Sequence, residues 1–132
     1  MRRSFAMPEV LRATRRPGRR SEGKTVGDLH ERLVLEAALR PERPNWIIDA
    51  RLATREEDGH GVDVVVKTDR GVFGLQVKSN KRAAQKWRAR YRSLRSRVGC
   101  VIVKRGDDVE TVWGRTLAAL LLLRDPSLGR PA

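Results

Sequence analysis

The stretch GVDVVVKTDRGVFGLQVKSN, from Gly61 to Asn80, decides the fold of this chain. Its β-branched runs on either side of a polar, glycine-containing turn predict a β-hairpin. If Asp69 and Arg70 form a two-residue loop, Thr68 faces Gly71, and the register of every other pair follows from that one.

That register would place polar side chains at one end of the hairpin, where packing alone would favour apolar ones. Asp63 is then expected directly opposite Gln76, with both side chains on one face, and Lys78 shares this face because side chains alternate along a strand. A three-residue loop that includes Gly71 would shift the register by one residue and separate them, unless a bulge restored it. The simpler hairpin brings an acid, an amide and an amine together.

An acid within one strand, a short turn and Gln-x-Lys at the end of the next strand resemble the PD-(D/E)XK nuclease superfamily. Within it, the pattern is similar to Holliday-junction-resolvase-like and Mrr-type restriction enzymes, some of which carry Gln-x-Lys. The resemblance covers about residues 25–123, but the motif itself is three residues. It departs from the family pattern at Val62, where a proline usually precedes the acid, and at Gln76, where a second carboxylate is usual.

The resemblance implies a core made of a helix that bears a glutamate, a mixed sheet that bears the motif, and a following helix. It also implies a nuclease that depends on Mg²⁺ or Mn²⁺, with Glu31, Asp63 and Gln76 as metal ligands. These three residues and Lys78 would form the catalytic set. Lys78 would hold the attacking water and balance phosphate charge, because its ammonium is a compact point charge on a flexible stem. It would do so either as a general base or as a charge stabiliser, depending on how far burial lowers its pKa.

The first helix is predicted over residues 25–39, with Thr25 as a plausible N-cap and prolines beyond its end. Its expected core stripe contains Val26, Leu29, His30, Leu33, Val34 and Ala37. Glu31 and Glu36 lie on opposite borders of that stripe, so spacing does not choose between them as the helical ligand. The resemblance favours Glu31, because Gly27 to Glu31 matches the Gly-x-x-x-Glu pattern that often opens this family's first helix.

The remaining segments predict the order α-β-β-β-α-β-β-α, which is an α/β fold with a single mixed sheet flanked by helices. The acidic segment from Glu56 to Gly59 is expected to be a turn. The other expected elements are a strand at Trp46–Ala53, a helix at 81–97, strands at Val98–Lys104 and Val109–Trp113, and a closing helix at Arg115–Arg124.

The formal net charge is +13, and the excess is confined to two segments. Residues 1–23 contain seven Arg and two Glu, residues 81–97 contain eight Lys or Arg and no acid, and the rest is balanced. Such segments favour a polyanionic partner, with DNA the first candidate. The expected contact residues on the second helix are Lys81, Arg82, Arg88, Arg92 and Arg95.

A chain of 132 residues is long enough for one domain with a modest core. We expect a disordered basic tail at 1–23, a nuclease-like domain at 24–125 and a C-terminal tail at 126–132. No secretory signal is visible and the run Leu117–Leu123 is too short to span a bilayer, so a cytoplasmic protein with no membrane partner is expected. The single cysteine, Cys100, is expected to be a buried small hydrophobe.

Two functional hypotheses follow. The first is a metal-dependent DNA endonuclease that acts on branched or specific DNA. A homodimer is expected for it, because one compact module reaches only one strand. The second is a catalytically silent module of the same fold that binds nucleic acid or a partner protein. Gln76 in place of an acid keeps the second hypothesis open.

Overall fold

The computed structural model of the chain describes residues 26–94 and 96–129. The predicted tail at 1–23, the proposed N-cap Thr25 and the proposed contact residue Arg95 lie outside the described residues. The elements are α1 (Val26–Ala38), β1 (Ile47–Leu52), α2 (Arg55–Gly59), β2 (Val64–Thr68), β3 (Gly71–Lys78), α3 (Lys81–Arg90), β4 (Val98–Ile102) and α4 (Val109–Arg124), with short 3₁₀ helices at Arg92–Leu94 and Pro126–Gly129.

The four strands form a single mixed sheet in the order β1-β2-β3-β4. The first three are antiparallel neighbours, whereas β4 is parallel to β3 and follows it through α3. A parallel neighbour requires a crossover connection, which the helix provides. The expected α/β class with one mixed sheet and flanking helices is therefore confirmed.

The hairpin has the predicted two-residue loop. Thr68 pairs with Gly71, and the same register continues to Val64 and Leu75. The hydroxyl of Thr68 supports the turn by donating to the carbonyl of Gly71 and accepting from the N–H of Arg70. The paired ladder ends at Val64, one residue short of the expected direct pair between Asp63 and Gln76.

Apolar side chains cover both faces of the sheet, as expected for a sheet with helices on both sides. One face packs under α1 and α4, with contributions such as Val34, Leu75 and Leu120. The other face packs under α3, where Trp87 covers Val65 and Val98. The sheet is therefore a middle layer, and the end at which β3 stops and α3 starts lies between the two helical layers.

Gly74 lies where β3 meets the chain that enters β2. A Cβ atom on this residue would lie 2.9 Å from Cγ1 of Val62 and 3.1 Å from its Cγ2. Both atoms belong to a fully buried side chain. The close approach requires a residue without a side chain here, and it holds the segment before β2 tightly against β3.

The predicted strand at Val109–Trp113 is wrong, because these residues form the first turns of α4. The side chain of Asp108 caps this helix by accepting a hydrogen bond of 2.9 Å from the N–H of Thr111, and such a cap outweighs the β-preference of the local valines. The observed order lacks the predicted fifth strand and gains the short helix α2.

No helix within 26–94 and 96–129 is long and apolar enough to cross a membrane.

Three further details of the structure differ from the prediction. Helix α3 ends at Arg90 rather than at residue 97, and a 3₁₀ turn follows it. The predicted core stripe of α1 is correct for Val34 and Ala37, but Val26 and Leu29 are exposed. The predicted C-terminal tail begins with the 3₁₀ helix at Pro126–Gly129.

Candidate functional site

A short helix places an acid that was predicted to lie in a turn. Helix α2 starts at a capping box: the Thr54 hydroxyl accepts from the N–H of Glu57, and the Glu57 carboxylate accepts from the N–H of Thr54. The next residue, Asp58, donates its own N–H to the carbonyl of Thr54 at 2.8 Å. This turn of helix directs Asp58 toward the end of the sheet where β2 begins.

Asp63 immediately precedes β2 and makes three hydrogen bonds with backbone groups of other residues. Its N–H donates to the carbonyl of Leu75, and its carbonyl accepts from the N–H of Ala53, each at 2.8 Å. Its carboxylate Oδ2 accepts from the N–H of Val77 at 2.8 Å. Val77 separates Gln76 from Lys78, so the Asp63 carboxylate contacts the backbone between the two polar residues of the motif.

The carboxylates of Glu31, Asp58 and Asp63 converge on one point. One oxygen of each lies within 4.8 Å of the oxygens of the other two. These residues come from α1, from α2 and from the segment before β2, and they are called the acidic cluster below. Of the two helical glutamates that the sequence left open, Glu31 belongs to this cluster, whereas Glu36 is exposed elsewhere on α1.

The acidic cluster changes the protonation of its most buried member. Asp63 is 2% exposed, and burial raises the pKa of its carboxyl to about 8, with a further increase from its hydrogen bond to the Asp58 carboxyl. The N–H of Val77 opposes this increase in the pKa, and the charge of Glu31 adds to it. Two carboxyl groups within hydrogen-bonding distance share a proton when no cation separates them.

Gln76 occupies the position where the resembling family usually has its second carboxylate. It lies on the α3 face of the sheet, because Phe73, Leu75 and Val77 pack into the opposite cluster. The residue is 8% exposed, and its oxygen Oε1 is buried without a hydrogen-bond partner among the described residues. A buried acceptor without a donor is costly and points to a ligand that supplies the missing interaction.

Lys78 ends β3 on the same face. Cys100 is the β4 neighbour of Gln76. Burial raises the pKa of its thiol, the charges of Arg88 and Lys78 lower this pKa, and the charge of Asp63 raises it. Cys100 is half-buried, whereas a buried small hydrophobe was expected.

A basic surface begins three residues after Lys78. Its exposed residues are Lys81, Arg82, Lys86, Arg88, Arg90 and Arg92, and they are called the basic α3 surface below. None of the six forms an ion pair with another residue in the described ranges. The aromatic side chains of this segment, Trp87 and Tyr91, pack toward the sheet as expected. The positive charge is unneutralised and faces solvent.

The donor set of the acidic cluster suits a hard divalent cation. Mg²⁺ and Mn²⁺ prefer oxygen ligands, and Mg²⁺ sites commonly combine a few carboxylates with water and substrate oxygens. Three carboxylates converge here, and a buried carboxamide oxygen without a donor lies on the adjoining strand. Asp58 is exposed, so the cluster is open to solvent and to a substrate.

Of the four predicted catalytic residues, Glu31 and Asp63 lie in the acidic cluster, whereas Gln76 and Lys78 lie on β3. The prediction did not include Asp58. The signal was present, because Thr54-Arg-Glu-Glu57 matches the capping-box pattern that marks a helix start. A cluster of acids followed by glycine also suits a turn, and that interpretation hid the helix. Comparison with family models, with curated proteins and with solved structures finds no match to this chain.

Proposed function

We propose that this protein is a metal-dependent nuclease that hydrolyses phosphodiester bonds of DNA at the acidic cluster. The single observation that carries the proposal is the convergence of three carboxylates, from α1, α2 and the segment before β2, within 4.8 Å of one another. Clustered carboxylates occur on many surfaces, but here one of them is almost fully buried. Lys78 follows Val77, whose N–H binds the Asp63 carboxylate, and the basic α3 surface begins three residues later. Both suit a phosphate backbone.

The metal ligands would be Glu31, Asp58 and Asp63, with Gln76 Oε1 as a neutral fourth oxygen. When bound, Mg²⁺ or Mn²⁺ would neutralise charge on the scissile phosphate and lower the pKa of an attacking water. Lys78 would donate hydrogen bonds to phosphate oxygens and stabilise the charge that builds up on them. Asp58 supplies the carboxylate that Gln76 lacks, so the departure at Gln76 does not leave the site short of negative charge.

The basic α3 surface would hold the substrate. Its six positive side chains lie on the segment that begins three residues after Lys78, so a phosphate backbone bound along α3 would approach the end of β3. Contacts of this kind are independent of base sequence and weaken steeply with salt. Cleavage of both strands would require a second module, which is the reason to expect a homodimer on DNA.

The test is a cleavage assay on supercoiled plasmid and on a four-way junction, with Mg²⁺, Mn²⁺ or EDTA. Cutting should require the metal and should be lost in Asp63→Asn and strongly reduced in Asp58→Asn. The matched control is Glu56→Gln, which neutralises an exposed acid on the same short helix outside the acidic cluster. If Asp63→Asn cuts as fast as the wild type, the acidic cluster is not the active site.

The alternative is a catalytically silent module that binds nucleic acid or a partner protein. Gln76 favours this function, because a neutral amide is a weaker metal ligand than a carboxylate. Salt-sensitive DNA binding without cutting under any metal would support the silent module. Neither cutting nor binding would direct attention to a protein partner.

A further inference from the structure

The acidic cluster depends on a helix of only five residues, and one buried ion pair ties that helix to the sheet. Arg51 of β1 binds Glu57 through two hydrogen bonds, Nη1 to Oε1 at 2.7 Å and Nη2 to Oε2 at 2.8 Å. Glu57 is fully buried. Its neighbour Asp58 carries one of the three cluster carboxylates.

The surrounding contacts leave Glu57 little freedom. Its Oε1 also accepts from the N–H of Thr54 at 2.8 Å, and Arg51 Nη1 also donates to the carbonyl of Leu52 at 3.2 Å. Paired, planar contacts of this type fix orientation as well as distance. A helix of one turn has little intrinsic stability in water, so its position comes from such tertiary contacts.

We propose that Arg51 is a positioning residue that sets the location of Asp58 in the acidic cluster through Glu57. The inference rests on the proposed function to the extent that the acidic cluster binds a divalent metal. Arg51 itself lies on β1, and its two bonds to Glu57 reach across to α2. The proposed effect on the metal passes through these two bonds and α2 to Asp58.

Lysine at position 51 keeps the charge but cannot make two parallel contacts to a carboxylate. Arg51→Lys should weaken Mn²⁺ binding by about 10- to 100-fold, the range found when supporting partners of metal ligands are removed. Binding is measured by electron paramagnetic resonance of free Mn²⁺, on the full-length chain well below the unfolding temperature of each variant. If Arg51→Lys does not fold, Glu57→Gln serves as the second variant, because it keeps one oxygen for the cap of α2.

The matched control is Arg124→Lys. Arg124 makes an equivalent bidentate contact to Asp69 in the hairpin turn, at the opposite end of the sheet from the cluster, with distances of 2.9 and 2.8 Å. Its side chain is about as buried as that of Arg51 (22% against 18% exposed). Arg124→Lys should lower stability without a change in Mn²⁺ affinity.

A double-mutant cycle separates positioning from general destabilisation. In an Asp58→Asn background the ligand that Arg51 positions is already lost, so Arg51→Lys should change Mn²⁺ affinity by less than about twofold. Wild-type-like Mn²⁺ binding by Arg51→Lys, or an equal loss in both backgrounds, would overturn the positioning role while the proposed function stands. Absence of Mn²⁺ binding by the wild type would instead overturn the metal site together with this inference.

Discussion

Replacement of Asp63 by asparagine should make the metal-free protein more stable at pH 8, although the substitution removes the central acid of the proposed site. Asparagine is nearly isosteric, and its Oδ1 can still accept from the N–H of Val77. It lacks the charge that burial and the neighbouring carboxylates Asp58 and Glu31 disfavour. The expected gain is therefore a direct measure of how unfavourable the ionised cluster is.

The sign follows from the pKa of the Asp63 carboxyl, which rises from 3.8 to about 8 on folding. Between these values the folded protein holds a proton that the unfolded chain has released. The free energy of unfolding therefore falls as the pH rises through this window. At about 1.4 kcal/mol per pKa unit the upper value is about 6 kcal/mol. Because water reaches the cluster through exposed Asp58 and screens the charge, we expect a decrease of about 3 kcal/mol between pH 5 and pH 8.

The assay is urea unfolding in EDTA at pH 5, 6, 7 and 8. The wild type should lose stability along this series, whereas Asp63→Asn should show a much flatter dependence and exceed the wild type at pH 8. Asp107→Asn is the control of opposite sign, because bonds to Lys104 and Arg115 lower the pKa of that carboxyl. It should reduce stability at neutral pH and keep the wild-type trend above pH 5. A flat wild-type profile, or an Asp63→Asn profile parallel to it, would refute the placement of Asp63 in a buried acidic cluster.

Three further changes test other parts of the structure. Lys78→Met should lower the turnover rate by roughly 10²- to 10⁴-fold with little change in DNA affinity, measured by single-turnover cleavage beside filter binding; equal loss of both would make Lys78 a binding residue only. Arg88→Glu with Arg92→Glu should make the salt dependence of DNA binding shallower by about two in log–log slope. Arg105→Glu reverses an exposed charge outside α3 and should change the salt dependence of DNA binding less. If the Arg105 variant and the α3 variant changed this slope equally, α3 would not be the contact surface. Gly74→Ala should cost about 1–3 kcal/mol in urea unfolding because no space exists for its methyl group, and a neutral result would contradict the tight packing of the segment before β2.

Local sequence patterns were sufficient to predict the hairpin and the ends of β3. The turn chemistry of Asp69 and Arg70 and the alternation of apolar residues specify one register, since a slip by one residue would expose the buried face. The same alternation correctly placed Gln76 and Lys78 together on one face of β3. These features involve residues that are close in the chain, and their geometry is set by backbone periodicity.

Two segments were assigned to the wrong secondary structure. In each, the local composition and a helix-capping signal of similar strength indicate different structures. Val109–Trp113 has the composition of a strand, but the Asp108 cap starts a helix there. The acids around Asp58 have the composition of a turn, but the capping box of Thr54 and Glu57 forms one turn of helix. In the second case the buried contact to Arg51 stabilises a helix that would be marginal alone.

The sequence by itself determined the hairpin, the α/β class, the basic segment at α3 and the identity of most residues in the proposed site. Only the tertiary structure decided that Glu31 rather than Glu36 belongs to the site, that Asp58 joins it, and that the Asp63 carboxyl has a pKa near 8. The physical reason is that these properties depend on three segments meeting at one end of the sheet. Periodicity fixes which face of an element a side chain occupies, whereas packing of the helices against the sheet fixes which side chains meet and how far water is excluded from them.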